Sequence, residues 1–181
     1  SKAASVAKPA LHTEIRIVDP QGDYVGFDVV GELWVSGPTV TPGYWDRPEA
    51  NEESFSDGWI QTGDAARRDA LGSVFFVDRW KDMYISGGEN VYPADVEQVL
   101  FRHPNVLDVA VIGLEDERWG EVGMAVIVPR DPAAAGGADY LAFCEDKLAR
   151  FKIPKHVMIT DELPRNAAGK VLKRELKEAV A

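Results

Sequence analysis

Apolar residues alternate with polar ones in short runs through the first part of the chain, and each run stops at glycine, proline or aspartate. In EIRIVD (14–19) Ile15 and Ile17 stand between polar neighbours, and PQGD (20–23) follows with turn chemistry. GELWVSG (31–37) and GSVFFVD (72–78) are further apolar runs bracketed by glycine. Between them RPEANEESF (47–55) predicts one short helix with Pro48 in its first turn. The series predicts a small twisted sheet or partial barrel over residues 1–80.

Past residue 82 the texture changes. DMYIS (82–86) predicts a strand, and YPADVEQVLFR (92–102) a helix with Val96, Val99 and Leu100 on one face. Two apolar strands follow, VLDVAVIG (106–113) and GMAVIVP (123–129), then a low-complexity loop, DPAAAGGAD (131–139). YLAFCEDKLAR (140–150) predicts a helix burying Leu141, Cys144 and Leu148, HVMITD (156–161) a last strand, and KVLKRELKEAV (170–180) a closing helix. The order β-α-β-β-α-β is that of a split βαβ, ferredoxin-like layer. The fold class is therefore α+β: a small β-barrel-like subdomain over 1–80, then a ferredoxin-like domain over 81–181. DRWKDMYISGGEN (78–90) sits where the two textures meet.

Composition narrows the functional classes. The chain carries 30 acidic against 20 basic residues, a net charge of -10, which argues against nucleic-acid binding through general electrostatics. Anionic ligands held by a few local cations stay open. No apolar run reaches the roughly 20 residues of a membrane span, and SKAASVAKPALHTE lacks the apolar core of a signal peptide. The single cysteine, Cys144, excludes an internal disulfide and fits a reducing, cytoplasmic compartment. His12, His103 and His156 are scattered without metal-ligand spacing and read as structural, as do Tyr44 and Trp45, expected to pack the barrel.

Two loops carry candidate chemistry. In PRNAAGKVLKREL, Gly169 precedes Lys170 among small and polar residues, either as an exposed turn lysine or as a cation delivered to a ligand. In ISGGENVYP, Gly87 and Gly88 form either a plain tight turn or a surface that lets a narrow ligand arm pass close to the main chain.

Four motifs occur in fixed order: GELWVSGPTVTPGYW, DGWIQTGD, DRWKDMYISGGENVYPADVE and LPRNAAGK. Together they cover nearly the whole chain, which resembles the C-terminal part of the adenylate-forming acyl-CoA synthetase superfamily. That superfamily also contains peptide-synthetase adenylation domains and beetle luciferases. ISGGENVYPADVE is most similar to the fatty or aryl acid–CoA ligase branch.

The resemblance implies roles residue by residue. Asp64 would hold the ribose hydroxyls of ATP, with Arg79 also on the ribose. Lys81 would be the hinge of a mobile C-terminal domain, and Lys170 the lysine of the adenylation step. Gly87, Gly88 and Glu89 would line the pantetheine tunnel when the thioester forms. Trp119, Phe151, Lys152 and Lys155 lie where CoA-using relatives contact the nucleotide end of CoA. An exposed basic turn beside a half-buried tryptophan is the alternative there.

The implied reaction joins a carboxylic acid to CoA with ATP, giving acyl-CoA, AMP and pyrophosphate through an acyl-adenylate. No phosphate loop of the SGTTGxPK kind and no YGxTE segment is present. The resemblance therefore implies that the large N-terminal domain, with the magnesium ligand and acyl pocket, lies outside this chain, and that the chain alone is inactive. An adenylation domain that loads a carrier protein, and a non-catalytic ferredoxin-like binding module, are the alternatives.

Overall fold

A computed structural model describes residues 8–134 and 136–180. The first seven residues, the final one, and Ala135 within the DPAAAGGAD loop lie outside the described residues. The chain divides into two compact units, one ending at Lys81 and one starting at Asp82. The architecture is α+β, a curled half-barrel sheet in the first unit and a helix-covered sheet in the second.

The first unit is an antiparallel sheet of β1 (Glu14–Val18), β2 (Gly31–Ser36), β3 (Phe55–Ser56), β4 (Trp59–Arg68) and β5 (Val74–Arg79), with α1 (Pro48–Ser54) leading into β3. β4 pairs β2 on one side and both β3 and β5 on the other. Register slips opposite β2 between Glu32 and Trp34, and against β5 between Ala65 and Ala66. Bulges of this kind bend a strand and increase its twist, which is how a short sheet curls. Its core is small: Ile17, Leu33, Ala66 and Val74, flanked by Ile15, Val25 and Val35. Trp45, expected in that core, is 95% exposed. Its neighbour Tyr44 meets Phe55 edge-on instead, its backbone held at both ends by the Asn51 side chain.

The second unit opens with a hairpin of β6 (Tyr84–Ser86) and β7 (Glu89–Val91), then α2 (Pro93–Leu100), the long hairpin β8 (Val106–Asp116) and β9 (Gly120–Pro129), α3 (Gly137–Glu145), β10 (His156–Ile159) and α4 (Lys173–Val180). β9 pairs β8 antiparallel along its length, takes β10 in parallel on its other side, and meets β6 at Ser86–Gly120. α2 and α3 cover one face of this sheet through Val96, Leu100, Tyr140 and Cys144, packed on Val109, Val111, Ala125 and Ile127. Leu176 of α4 and Leu163 cover the other face, on Ala110, Ile112, Val126 and Val128. Both faces are buried, so DVAVI and AVIV read as continuous apolar runs and not as alternation.

α3 ends at Glu145, so Leu148, expected on its stripe, packs on the core from beyond the helix. Burial pushes the Cys144 thiol up, partly offset by Lys147, in keeping with a structural thiol. His103 is structural too, its ring edge-on to Tyr140 and Phe143 and its Nδ1 accepting the Asn105 amide. Among the described residues no helix is long and apolar enough to cross a membrane.

Candidate functional site

Three clusters carry chemistry, one in the first unit and two in the second. In the first, β4 bulges at Thr62–Gly63–Asp64 opposite Leu33, with Gly63 at φ +70. That left-handed conformation suits glycine and lets the strand swell without strain. The Thr62 hydroxyl donates to the Leu33 carbonyl at 2.7 Å and accepts the Asp64 amide at 3.2 Å, pinning the bulge. Asp64 then faces Arg79 in the β4–β5 register, and their side chains pair at 2.5 Å between Oδ1 and Nη1. An open hollow of about 360 Å³ lies beside them, lined also by Phe76, Val77 and Asp78. A carboxylate has about four acceptor positions, so an arginine on one oxygen leaves capacity for neighbouring hydroxyls.

The Gly87 hairpin forms the second cluster. Ser86 pairs with Glu89, so Gly87 and Gly88 are the two-residue turn, at φ +62 and +87. Both signs are those of a type I′ turn, which favours asparagine, aspartate or glycine first and glycine second. Gly87 has a further reason: a Cβ there would stand 2.8 Å from the Trp119 ring, and its amide donates to the Trp119 carbonyl. Asp116 accepts the amides of Arg118 and Trp119, shaping the β8–β9 turn that presents the indole, which is 38% exposed. A hollow of about 560 Å³ is lined by Ser86, Arg118, Trp119, Arg150, Phe151 and Lys155. The Lys155 ammonium stands 5.8 Å from the indole centroid and the Arg118 guanidinium carbon 5.2 Å.

Gly87, Trp119, Phe151 and Lys155 are thus brought together, while Gly88 and Glu89 sit exposed at the turn. Lys152 does not line this hollow and pairs with Asp95 of α2 at 2.6 Å. Arg118 and Arg150 were missed by the sequence reading, although DERWGE and ARFKIPK set them beside residues it selected. An aromatic plane with three cations at its rim suits a purine and a phosphate.

The third cluster is the Lys170 loop. The Asn166 side chain accepts the amides of Ala168 and Lys170, and the Asn166 amide donates to the Lys170 carbonyl. Gly169, at φ +81, completes the turn. Lys170 is exposed and lines a hollow of about 300 Å³ with Asp82, Asn166 and Lys173. That hollow shares no lining residue with the Trp119 hollow. Lys81 is exposed in a short 3-10 turn at the boundary of the two units. Among the described residues no group of three or more histidine, cysteine, aspartate or glutamate residues could hold a metal ion.

Other proteins share this fold and much of this sequence. The profile of the AMP-binding enzyme C-terminal domain matches residues 95–170, and that of the AMP-binding enzyme matches residues 1–45. A feruloyl-CoA synthase from Amycolatopsis sp is 48% identical over 176 residues, covering 97% of this chain and 36% of its own length. A 2-succinylbenzoate–CoA ligase from Geobacillus kaustophilus is 44% identical over 180 residues, 99% of this chain and 36% of the relative. Among solved structures, o-succinylbenzoate CoA synthetase from Bacillus subtilis, in complex with the acyl-adenylate intermediate OSB-AMP, superposes with a TM-score of 0.87 at 41% identity. That match covers 97% of this chain and 36% of the synthetase. The chain thus spans about 36% of the length of these relatives. On both profiles and this shared layout, the chain belongs to the AMP-binding enzyme family.

Proposed function

We propose that this chain supplies the ribose grip and the mobile C-terminal domain of an ATP-dependent acyl-CoA ligase. A carboxylic acid attacks the α-phosphorus of ATP, the bond to pyrophosphate breaks, and an acyl-adenylate forms. The CoA thiolate then attacks the acyl carbon, and AMP leaves with the electrons of the broken bond. Relatives named for feruloyl, succinylbenzoate and indoleacetate substrates favour an aromatic acid. The free, buried thiol of Cys144 fits a cytoplasmic setting.

One observation carries this reading: Lys170 and the Trp119 hollow belong to the same unit but to separate hollows. The two half-reactions make opposite demands. Two anions must first be drawn together, which an ammonium on a long stem does by bridging carboxylate and phosphate oxygens as charge develops. The thiol must then reach the same carbon, and a lysine over it would obstruct the approach. Turning the unit about Lys81 presents the two loops in succession. Asp64 accepts from the ribose hydroxyls with Arg79 beside it. Trp119 stacks on the adenine of CoA while Arg118, Arg150 and Lys155 meet its phosphates. A carrier-protein thiol would need no such nucleotide grip. Magnesium, which ATP chemistry of this kind uses, would be held by residues outside this chain.

The test is Lys170→Ala in the enzyme that joins this chain to its large domain. Acid-dependent ATP–pyrophosphate exchange falls on the order of 10²–10³, the cost of losing one charge-stabilising contact in the transition state. Thioester formation from supplied acyl-adenylate stays near wild type. Equal loss in both assays would show that Lys170 serves structure and not adenylation.

A further inference from the structure

Among the described residues β8 pairs with β9 alone, which leaves the amides along its other edge without a strand partner there. Two of them are taken by carboxylates. Asp108 Oδ1 accepts the Val109 amide at 3.0 Å, and Glu97 Oε1, reaching from α2, accepts the Val111 amide at 2.8 Å. Each carboxylate is in turn held by a cation from the segment around Lys170. Arg165 pairs with Asp108, and Lys173 pairs with Glu97 at 2.8 Å. Arg165 also donates from its other terminal nitrogen to the carbonyl of Gly169, the residue before Lys170. The loop between these anchors, 165–170, is exposed throughout.

We propose that these two carboxylate–cation clamps make Arg165 and Lys173 positioning residues for Lys170. This rests on the adenylation role assigned to Lys170 above. An ion pair at a protein surface adds little to the stability of a fold, so a stability role is a poor reason for the more exposed Arg165–Asp108 clamp. Geometry is a better one. Residues 165–170 carry no buried side chain, and Val171 beside them rests on the sheet only partly buried. The Asn166 turn and the Arg165–Val171 bridge fix the curvature of the loop, and the clamps add a polar tie to the β8 edge on both sides of Lys170. The arginine fork does what a point charge cannot, because its two terminal nitrogens address Asp108 and the Gly169 carbonyl together. Lys173, by contrast, is only 16% exposed and needs only to neutralise Glu97.

Arg165→Ala, Arg165→Lys and Asp108→Asn test the stronger clamp. In this chain, hydrogen exchange speeds up in the peptide covering 164–172 and stays unchanged over β9 and α3. In the enzyme joined to its large domain, adenylation falls on the order of 10–100-fold, as a misplacement of about 1 Å would cause, while thioester formation from supplied acyl-adenylate holds. Arg165→Lys fails to rescue, since charge alone does not hold Gly169. Unchanged exchange in the loop, faster exchange with intact adenylation, or full rescue by Arg165→Lys would each overturn the proposal. If Lys170→Ala itself leaves adenylation intact, the reading of Lys170 falls and the positioning role with it. Faster exchange in the loop would then still establish the clamps as structural, so the two failures are told apart.

Discussion

The two sheets of this chain solve the burial problem differently. The first gathers only four buried residues into one core cluster and leaves Tyr24, Phe27, Val29, Trp45 and Phe76 at its surface. The second is covered on both faces, with eleven buried residues under α2 and α3 and six under α4. Their chemistry is placed differently too. Asp64 and Arg79 stand on paired strands, where register alone sets their distance. Lys170, Gly87 and Trp119 stand on turns and loops above a thick core, where glycines, turn hydrogen bonds and ion pairs add to what register can set. A thin sheet can thus carry a fixed pair, whereas loops that stand clear of the strands need a body that holds its shape beneath them.

The contrast breaks if the cores do not differ in weight. Leu100→Ala, at a position with no exposed surface in the eleven-residue cluster, should destabilise the second unit by about 4 kcal/mol, in the upper part of the range for such truncations. Leu33→Ala in the four-residue cluster should cost its own unit about 2–3 kcal/mol. Peptide-resolved hydrogen exchange in urea reads the units separately, and equal costs would refute the comparison.

A smaller effect probes packing in the second sheet. Tyr84 lies flat across the glycine pair Gly113–Gly123 of the β8–β9 hairpin, and a Cβ on Gly113 would come within 2.4 Å of the Tyr84 Cβ. Gly113→Ala should therefore cost about 1–3 kcal/mol by overpacking. A neutral outcome in thermal unfolding would mean that this layer gives way more easily than its density implies.

The smallest expected effect has the opposite sign. The Tyr84 hydroxyl is buried with no hydrogen-bond partner among the described residues, and Tyr84→Phe should stabilise the chain by about 1 kcal/mol at neutral pH. Burial first, and Glu121 second, push this hydroxyl well above its ordinary 10.0. Above pH 10 the unfolded chain releases a proton that the native chain keeps, so the native state loses stability as pH rises through that window. The advantage of the phenylalanine variant should widen there, and urea titrations at pH 7 and above 10 would show whether it does.

Much of this layout was readable in the residues, and the failures have physical reasons. The continuous apolar runs of β8 and β9 mark strands and the double glycine marks a tight turn, whereas ENV, three residues long and mostly polar, gives no strand signal. β4 was not recognised as a ten-residue strand, because its bulges put the consecutive residues Ala65 and Ala66 both in the interior and destroy the period. Lys152 and Lys155 look equivalent in FKIPK. Only the approach of Asp95 on α2, a contact between distant parts of the chain, assigns Lys152 to an ion pair. The clamps on Arg165 and Lys173 were equally hidden, since they depend on which amides of β8 the pairing with β9 leaves over. Trp45 misled because bulk and apolarity say nothing about which side of a thin sheet is covered.

The same clamps have a consequence for solubility. An open edge of a long apolar strand is a template on which another chain can add itself, and proteins protect such edges with charge. On β8 that protection is made by Asp108 and Glu97 on the amides, with Arg165 and Lys173 closing over them. The segment that carries Lys170 is therefore also the guard rail of the sheet. A substitution that loosens it exposes an aggregation seed, and poor yield of such variants would have that structural origin.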